Sequence, residues 1–174
     1  GVEVVPYLIR RYPYGELFSH VIGYVGRVDA ADLQAMGDSR DAARTHIGKA
    51  GLERYYEERL RGEIGYEEVE TNVEGRALGV LRRHGAKPGA DLHLSVDARL
   101  QQAMVDAFEG QHGAAVAVDP RTGEILGMVS LPGYDPNLFV TGISHKDWQA
   151  LQGPARPLFN RNVLGGFPPG SIIK

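Results

Sequence analysis

The sequence predicts an α+β protein built as two consecutive pieces, the second of them incomplete. Three observations carry that expectation. Helical periodicity over residues 52–60 and 98–108 is interspersed with short β-branched runs such as Ala114-Ala115-Val116-Ala117-Val118, without a strict strand–helix repeat. A turn-rich break at residues 84–90, with Lys87-Pro88-Gly89 inside it, separates residues 1–90 from residues 91–174. The chain then closes on Phe167-Pro168-Pro169-Gly170-Ser171-Ile172-Ile173-Lys174, in which the prolines and glycine set a helix start just before the serine.

Taken in order, Val2-Glu3-Val4-Val5 before Pro6 reads as a strand. Tyr12-Pro13-Tyr14-Gly15 is turn chemistry, followed by a helical turn over residues 17–20. Residues 20–28 read as β-rich, with Gly23 and Gly26 marking a bulge or close backbone packing. Asp29 can cap a brief helix over residues 30–36, and residues 37–45 form a polar loop. The clearest helix places Leu52, Tyr55, Tyr56 and Leu60 on one face, with Glu53, Arg54, Glu57 and Glu58 between them and Gly62 as the stop. Residues 64–72 and 75–83 read as a hairpin of imperfect alternation.

Beyond the break, residues 92–96 read as a short strand, and Asp97 caps a helix with Leu100, Met104, Ala107 and Phe108 on its stripe. Residues 114–118 and 124–130 form a hairpin around Asp119-Pro120-Arg121-Thr122-Gly123, apolar enough to be covered by helices on at least one face. Ser144 with Asp147 caps a helix reaching Leu151 and turning Trp148 inward, and residues 154–161 are extended loop.

Composition narrows the function. With 43% hydrophobic and 24% charged residues among 174, the chain belongs with folded, soluble domains. No apolar run approaches the ~18 residues of a membrane span, and no signal peptide is read at the start. The net charge of −3 is spread evenly, so no basic stripe points to nucleic acid or to an anionic membrane surface. The absence of cysteine removes disulfides and thiolate metal sites.

Several chemistries fall away. The six histidines, at 20, 46, 84, 93, 112 and 145, share no metal-ligand spacing, so no metal and no cofactor is expected. Gly165 and Gly170 have P-loop spacing, but Ser171 stands where the lysine belongs and two prolines remove phosphate-binding N–H groups. The pairs Glu57-Glu58 and Glu67-Glu68 read as solvated charge, and Tyr7, Tyr12, Tyr14 and Tyr24 as packing. Ser171 and Lys174 remain. At i and i+3 of a helix the hydroxyl and amine share a face, and a neutral lysine can take the serine's proton. A helix start behind the serine would also turn N–H groups toward a developing oxyanion. The competing explanation is a surface serine and lysine one turn apart.

At this point the chain resembles a class B penicillin-binding protein, of the elongation type. The likeness rests on Arg11-Tyr12-Pro13-Tyr14-Gly15, on His20-Val21-Ile22-Gly23-Tyr24-Val25, on Gly48-Lys49-Ala50-Gly51-Leu52-Glu53-Arg54-Tyr55-Tyr56 and on Gly65-Tyr66-Glu67-Glu68-Val69. It continues through Leu94-Ser95-Val96-Asp97 with Leu100-Gln101, then Asp119-Pro120-Arg121-Thr122-Gly123-Glu124, Ser130-Leu131-Pro132-Gly133-Tyr134-Asp135-Pro136-Asn137, Asn160-Arg161 and Pro168-Pro169-Gly170-Ser171. The resemblance implies part of a pedestal (dimerisation-type) domain over residues 1–90 and the start of an α/β transpeptidase domain over residues 91–174. It implies a D,D-transpeptidase that crosslinks peptidoglycan stem peptides and is acylated by β-lactams, with Ser171 as nucleophile and Lys174 assisting proton transfer. Its implied partners are a polytopic glycan polymerase and a scaffold protein, and its implied place is the periplasmic side of a bacterial inner membrane, through an anchor that these residues lack.

The family's later S-x-N and K-T-G motifs do not occur after Ser171. A helix over Ser171 to Lys174 also needs residues beyond it to close its hydrogen bonds, and a terminal carboxylate on Lys174 would favour the protonated amine. The expectation is therefore a fragment inactive by itself. Two functions stay open: the front of a serine acyl-transferase, or a non-catalytic docking module of the cell-wall elongation machinery.

Overall fold

The computed structural model describes residues 9–36 and 45–168. The strand expected over residues 2–5, nearly all of the 37–45 loop and residues 169–174 lie outside the described residues.

The front part begins with the Tyr12–Gly15 turn, closed by Gly15 N–H donating to the Tyr12 carbonyl at 3.2 Å, and runs into a 3₁₀ turn at Gly15–Phe18. The helical turn expected over residues 17–20 forms, and helix α1 (Ser19–Ile22) carries it on into residues 21–22, where β structure was expected. Gly23, at φ +76°, ends it by donating its N–H to the Ser19 carbonyl, so only β1 (Val25–Arg27) is extended. The Gly23 expectation of close packing holds: a Cβ there would lie 1.9 Å from the Ala50 carbonyl oxygen. Helix α2 (Ala30–Met36) starts as expected, with Asp29 Oδ1 accepting the N–H groups of Ala31 and Asp32. Strand β2 (His46–Gly48) pairs antiparallel with β1 in the register Val25↔Gly48.

The long helix expected over residues 52–60 divides at Tyr56 into α3 (Gly51–Tyr55) and α4 (Glu57–Leu60). Its buried face is also different. Glu53 is the buried residue, and Tyr55 is 79% exposed. The cause is polar pairing across the fold: Glu53 accepts from the Tyr12 hydroxyl at 3.2 Å and meets Arg10 Nε at 2.8 Å. The hairpin of β3 (Tyr66–Thr71) and β4 (Ala77–His84) forms with two register shifts, which accounts for its imperfect alternation, and every residue of β3 is exposed. The turn-rich stretch after it returns to the helices through an antiparallel bridge between Glu63 and Lys87.

Residues 92–96, expected as a strand, form none among the described residues. They run beside the later hairpin instead, where Ser95 Oγ donates to the Ile125 carbonyl at 2.8 Å. Asp97 caps α5 (Ala98–Asp106) as expected, accepting the N–H groups of Arg99 and Leu100. Strands β5 (Gly113–Val118) and β6 (Ile125–Leu131) form the second hairpin, and α5 lies against β6. Val116, Val118 and Ile125 are left between 42% and 49% exposed, so the described residues cover one face. Helices α6 (Asn137–Val140), α7 (His145–Leu151) and α8 (Arg161–Leu164) complete the order. Ser144 caps α7 as expected, whereas α8 replaces the last part of the expected loop.

The core is shared between front and back. Tyr12 and Val25 bury with Val140, and Tyr134, Phe139 and Leu151 bury with partly covered Tyr24, whose ring stacks on Phe139 with centroids 4.0 Å apart.

Candidate active site

Ser171 and Lys174, the expected nucleophile and base, lie outside the described residues, and so do Pro169 and Gly170. The described residues hold the approach to them, and that approach is fastened at four points.

The first is Asn160, which caps α8 through Oδ1, the acceptor of Asn162 N–H at 3.1 Å. Its Nδ2 donates at 3.3 Å to the carbonyl of His20 in α1. The second is Ser130 of β6, 4% exposed, whose Oγ accepts Arg161 N–H at 3.0 Å. Third, Asn162 Nδ2 donates to the Val129 carbonyl at 2.9 Å; its Oδ1 is buried with no partner among the described residues. Fourth, the Arg161 guanidinium donates to the carbonyls of Ala155 (2.7 Å), Arg156 (3.3 Å) and Phe159 (3.4 Å). A planar fork spent on backbone carbonyls braces the preceding turn rather than facing a substrate anion. Just past α8 the chain turns extended at Gly165, whose position is tight enough that a Cβ would stand 2.4 Å from the Arg161 carbonyl oxygen.

Beside this approach, a cavity of about 240 Å³ opens between the front part and the second hairpin, lined among others by Ser19, His20, Met128 and Ser130. His20 packs edge-on against Tyr134 with centroids 5.3 Å apart, and its Nε2 is buried without a hydrogen-bond partner among the described residues. Burial lowers its pKa, only partly opposed by the Pro132 and Pro157 carbonyls, so the ring is neutral. Burial first, then the Glu53 carboxylate, pushes the Tyr12 hydroxyl above its ordinary range and keeps it a donor. No group of three or more His, Cys, Asp or Glu that could hold a metal ion occurs among the described residues.

The motifs read separately along the sequence meet in space. Tyr12 N–H donates to Asn137 Oδ1 and Asn137 Nδ2 donates to the Tyr12 carbonyl, both at 2.9 Å, joining the 11–15 and 134–137 motifs. Lys49 N–H donates to the Tyr24 carbonyl at 2.9 Å, joining the 20–25 and 48–56 motifs. Sequence reasoning gave no holding role to three residues. Ser130, 4% exposed, and Gln101, 1% exposed, entered only within the family resemblance, and Asn162 carried no signal. Gln101 Oε1 accepts Met128 N–H, while its Nε2 donates to the Met128 and Leu17 carbonyls. Its one readable cue is a polar residue directly beside the apolar stripe of α5.

Comparison with known proteins matches residues 1–94 to the Penicillin-binding Protein dimerisation domain and residues 113–174 to the Penicillin binding protein transpeptidase domain. The chain is 48% identical over 179 residues to the peptidoglycan D,D-transpeptidase MrdA of Escherichia coli K12, covering 100% of this chain and 28% of that protein. Among solved structures it resembles Pseudomonas aeruginosa PBP2 in complex with WCK 5153, at 44% identity and a TM-score of 0.79 over 94% of this chain and 32% of that one. It also resembles PBP2 of Helicobacter pylori in complex with MreC, at 38% identity and a TM-score of 0.82 over 95% of this chain and 31% of that one.

Proposed function

The chain belongs to the penicillin-binding proteins, and on that premise we propose that it is part of a peptidoglycan D,D-transpeptidase. The observation that carries the reading is the transpeptidase-domain match over residues 113–174, which runs through the Ser171-Ile172-Ile173-Lys174 motif. The chain spans 28% of the length of the E. coli transpeptidase it matches, so the activity belongs to the larger protein.

In this reading Ser171 Oγ attacks the carbonyl between the two D-alanines of a stem peptide as Lys174 takes the hydroxyl proton. The C–N bond breaks, the terminal D-alanine leaves with a proton on its amine, and an ester joins the peptide to Ser171. An amine from a second stem peptide then attacks the ester, forming the crosslink and returning the proton to Ser171. A β-lactam is attacked in the same way, but its amine leaving group stays tethered, so the ester persists. The front part, residues 1–90, serves as the pedestal, and residues 91–174 begin the catalytic domain. Its partners are a scaffold protein and a polytopic glycan polymerase, at the periplasmic face of a bacterial inner membrane. The MreC complex of the H. pylori relative supports the scaffold partner. No helix among the described residues is long and apolar enough to cross a membrane.

The dimerisation-domain match over residues 1–94 favours a docking role for the front part, and one experiment separates docking alone from catalysis. In the whole protein, Ser171→Ala should lower acylation by a fluorescent penicillin at least ~10³-fold and abolish crosslinking, because the nucleophile itself is gone. Undiminished labelling of the variant would sink the assignment of Ser171 and leave the docking role standing.

A further inference from the structure

We propose that Asn160 is a positioning residue that seats the segment leading to Ser171 on the pedestal. The inference rests on the reading of Ser171 as nucleophile and adds a requirement to it: acylation needs the amide of Asn160 and not merely a capped helix.

The argument starts from the two ends of one side chain. Oδ1 of Asn160 accepts the Asn162 N–H and holds the start of α8. Nδ2 donates to the His20 carbonyl in α1, 140 residues earlier in the chain. The remaining ties of α8 and its cap run elsewhere: Arg161 N–H to Ser130 Oγ and Asn162 Nδ2 to the Val129 carbonyl, both on β6. Beside the Pro157 carbonyl, which faces the His20 ring, the bond from Asn160 to the His20 carbonyl is what joins residues 153–168 to the front part among the described residues.

Its place gives that bond leverage. Helix α8 has four residues, too short to be held by its own hydrogen bonds, so its direction follows from what its cap is tied to. The chain leaves the helix extended at Gly165, and Ser171 lies six positions further on. Pro168, within that span, removes much of the backbone freedom that could absorb an error in direction. A small misplacement of a nucleophile costs rate far out of proportion to stability.

The test uses the whole protein that contains this chain and its rate of acylation by a fluorescent penicillin, beside its thermal midpoint. Asn160→Asp keeps the capping oxygen but sets a second acceptor against the His20 carbonyl; Asn160→Ser also caps but is too short to reach it. Both variants should melt near the unaltered protein yet acylate about five- to tenfold more slowly, the worth of one hydrogen bond felt at the nucleophile. For N160D the ratio to the unaltered protein should stay lowered down to about pH 4.5 and climb back toward one only below about pH 4, where the new capping carboxyl gains a proton and becomes a donor again. A purely structural cap gives no such recovery. Equal rates for N160D, N160S and the unaltered protein overturn the proposal while Ser171 stands. An N160D rate that is lowered by the same factor at every pH also overturns it. Labelling that survives Ser171→Ala removes both readings together.

Discussion

Asn137 does for two distant segments what a strand pair does for a sheet: it offers one acceptor and one donor at the right spacing to Tyr12's backbone. Its Nδ2 also reaches Asp135 Oδ1 at 2.7 Å, which fixes the amide's orientation. The pair is part-buried and closes a span of 125 residues, so losing it leaves the N–H of a buried tyrosine without a partner, while the carbonyl keeps the Gly15 N–H. We expect Asn137→Ala to lower the stability of the chain by about 2–3 kcal/mol in urea unfolding, from two lost bonds and one stranded N–H. Asn137→Asp should cost a comparable amount, because the carboxylate keeps the acceptor but cannot donate. A loss below about 0.5 kcal/mol for both variants, the level of an ordinary surface change, would show that the clasp does not hold the two segments together.

At the scale of elements, close backbone approach is what the glycine-bearing motifs supply. A Cβ on Gly48 would stand 2.1 Å from the Glu53 carbonyl oxygen, so β2 can lie against α3 only without a side chain there. Gly79 in β4 faces open space. Gly48→Ala should therefore cost more than about 3 kcal/mol and shift the thermal midpoint strongly, whereas Gly79→Ala should be neutral or stabilise by up to about 1 kcal/mol by limiting the unfolded chain. Equal effects in thermal unfolding would remove the packing argument. The contrast also shows how far the elements were legible in the sequence. Helices α2, α5 and α7 were readable because their signals are local: Asp29, Asp97 and Ser144 each cap a helix within three residues of themselves. The direction α3 faces was not readable. Glu53 is buried because Tyr12 and Arg10, 41 and 43 residues away, complete its hydrogen bonds, and the helical period gives no sign of such partners. The same holds for α8, whose cap and ties reach back to His20, Val129 and Ser130. The residues nearest the candidate site were thus the least legible, while Ser171 and Lys174 were marked by their own motif.

For the molecule as a whole, the boundary near residue 90 divides the sequence more cleanly than it divides the core. Tyr12 and Val25 come from the front, but Val140 closes their cluster; Tyr24 comes from the front and stacks on Phe139 from the back. Polar ties follow the same plan. His46 Nε2 bonds the Val140 carbonyl at 2.7 Å, Tyr134 Oη donates to the Ser19 carbonyl at 3.1 Å, and Gln101 reaches Leu17. What the described residues of the front part hold alone is thin: its two sheets are two-stranded, β3 is exposed throughout, and Val69, Leu78, Val80 and Leu81 are 45–64% exposed. A two-stranded ribbon without a covered face is marginal in water. Neither half can then bury enough apolar surface to offset the ordering of about 90 residues, at roughly 1–2 kcal/mol each. We expect the 174-residue chain to unfold in one transition followed alike by far-UV circular dichroism and by the fluorescence of Trp148, which lies in the back half. Residues 1–90 and 91–174, made separately, should show no cooperative transition, and mixing them should restore one in part. A half that melts cooperatively alone, near the midpoint of the whole chain, would mean that the shared clusters contribute little and that residues 1–90 and 91–174 fold independently of each other.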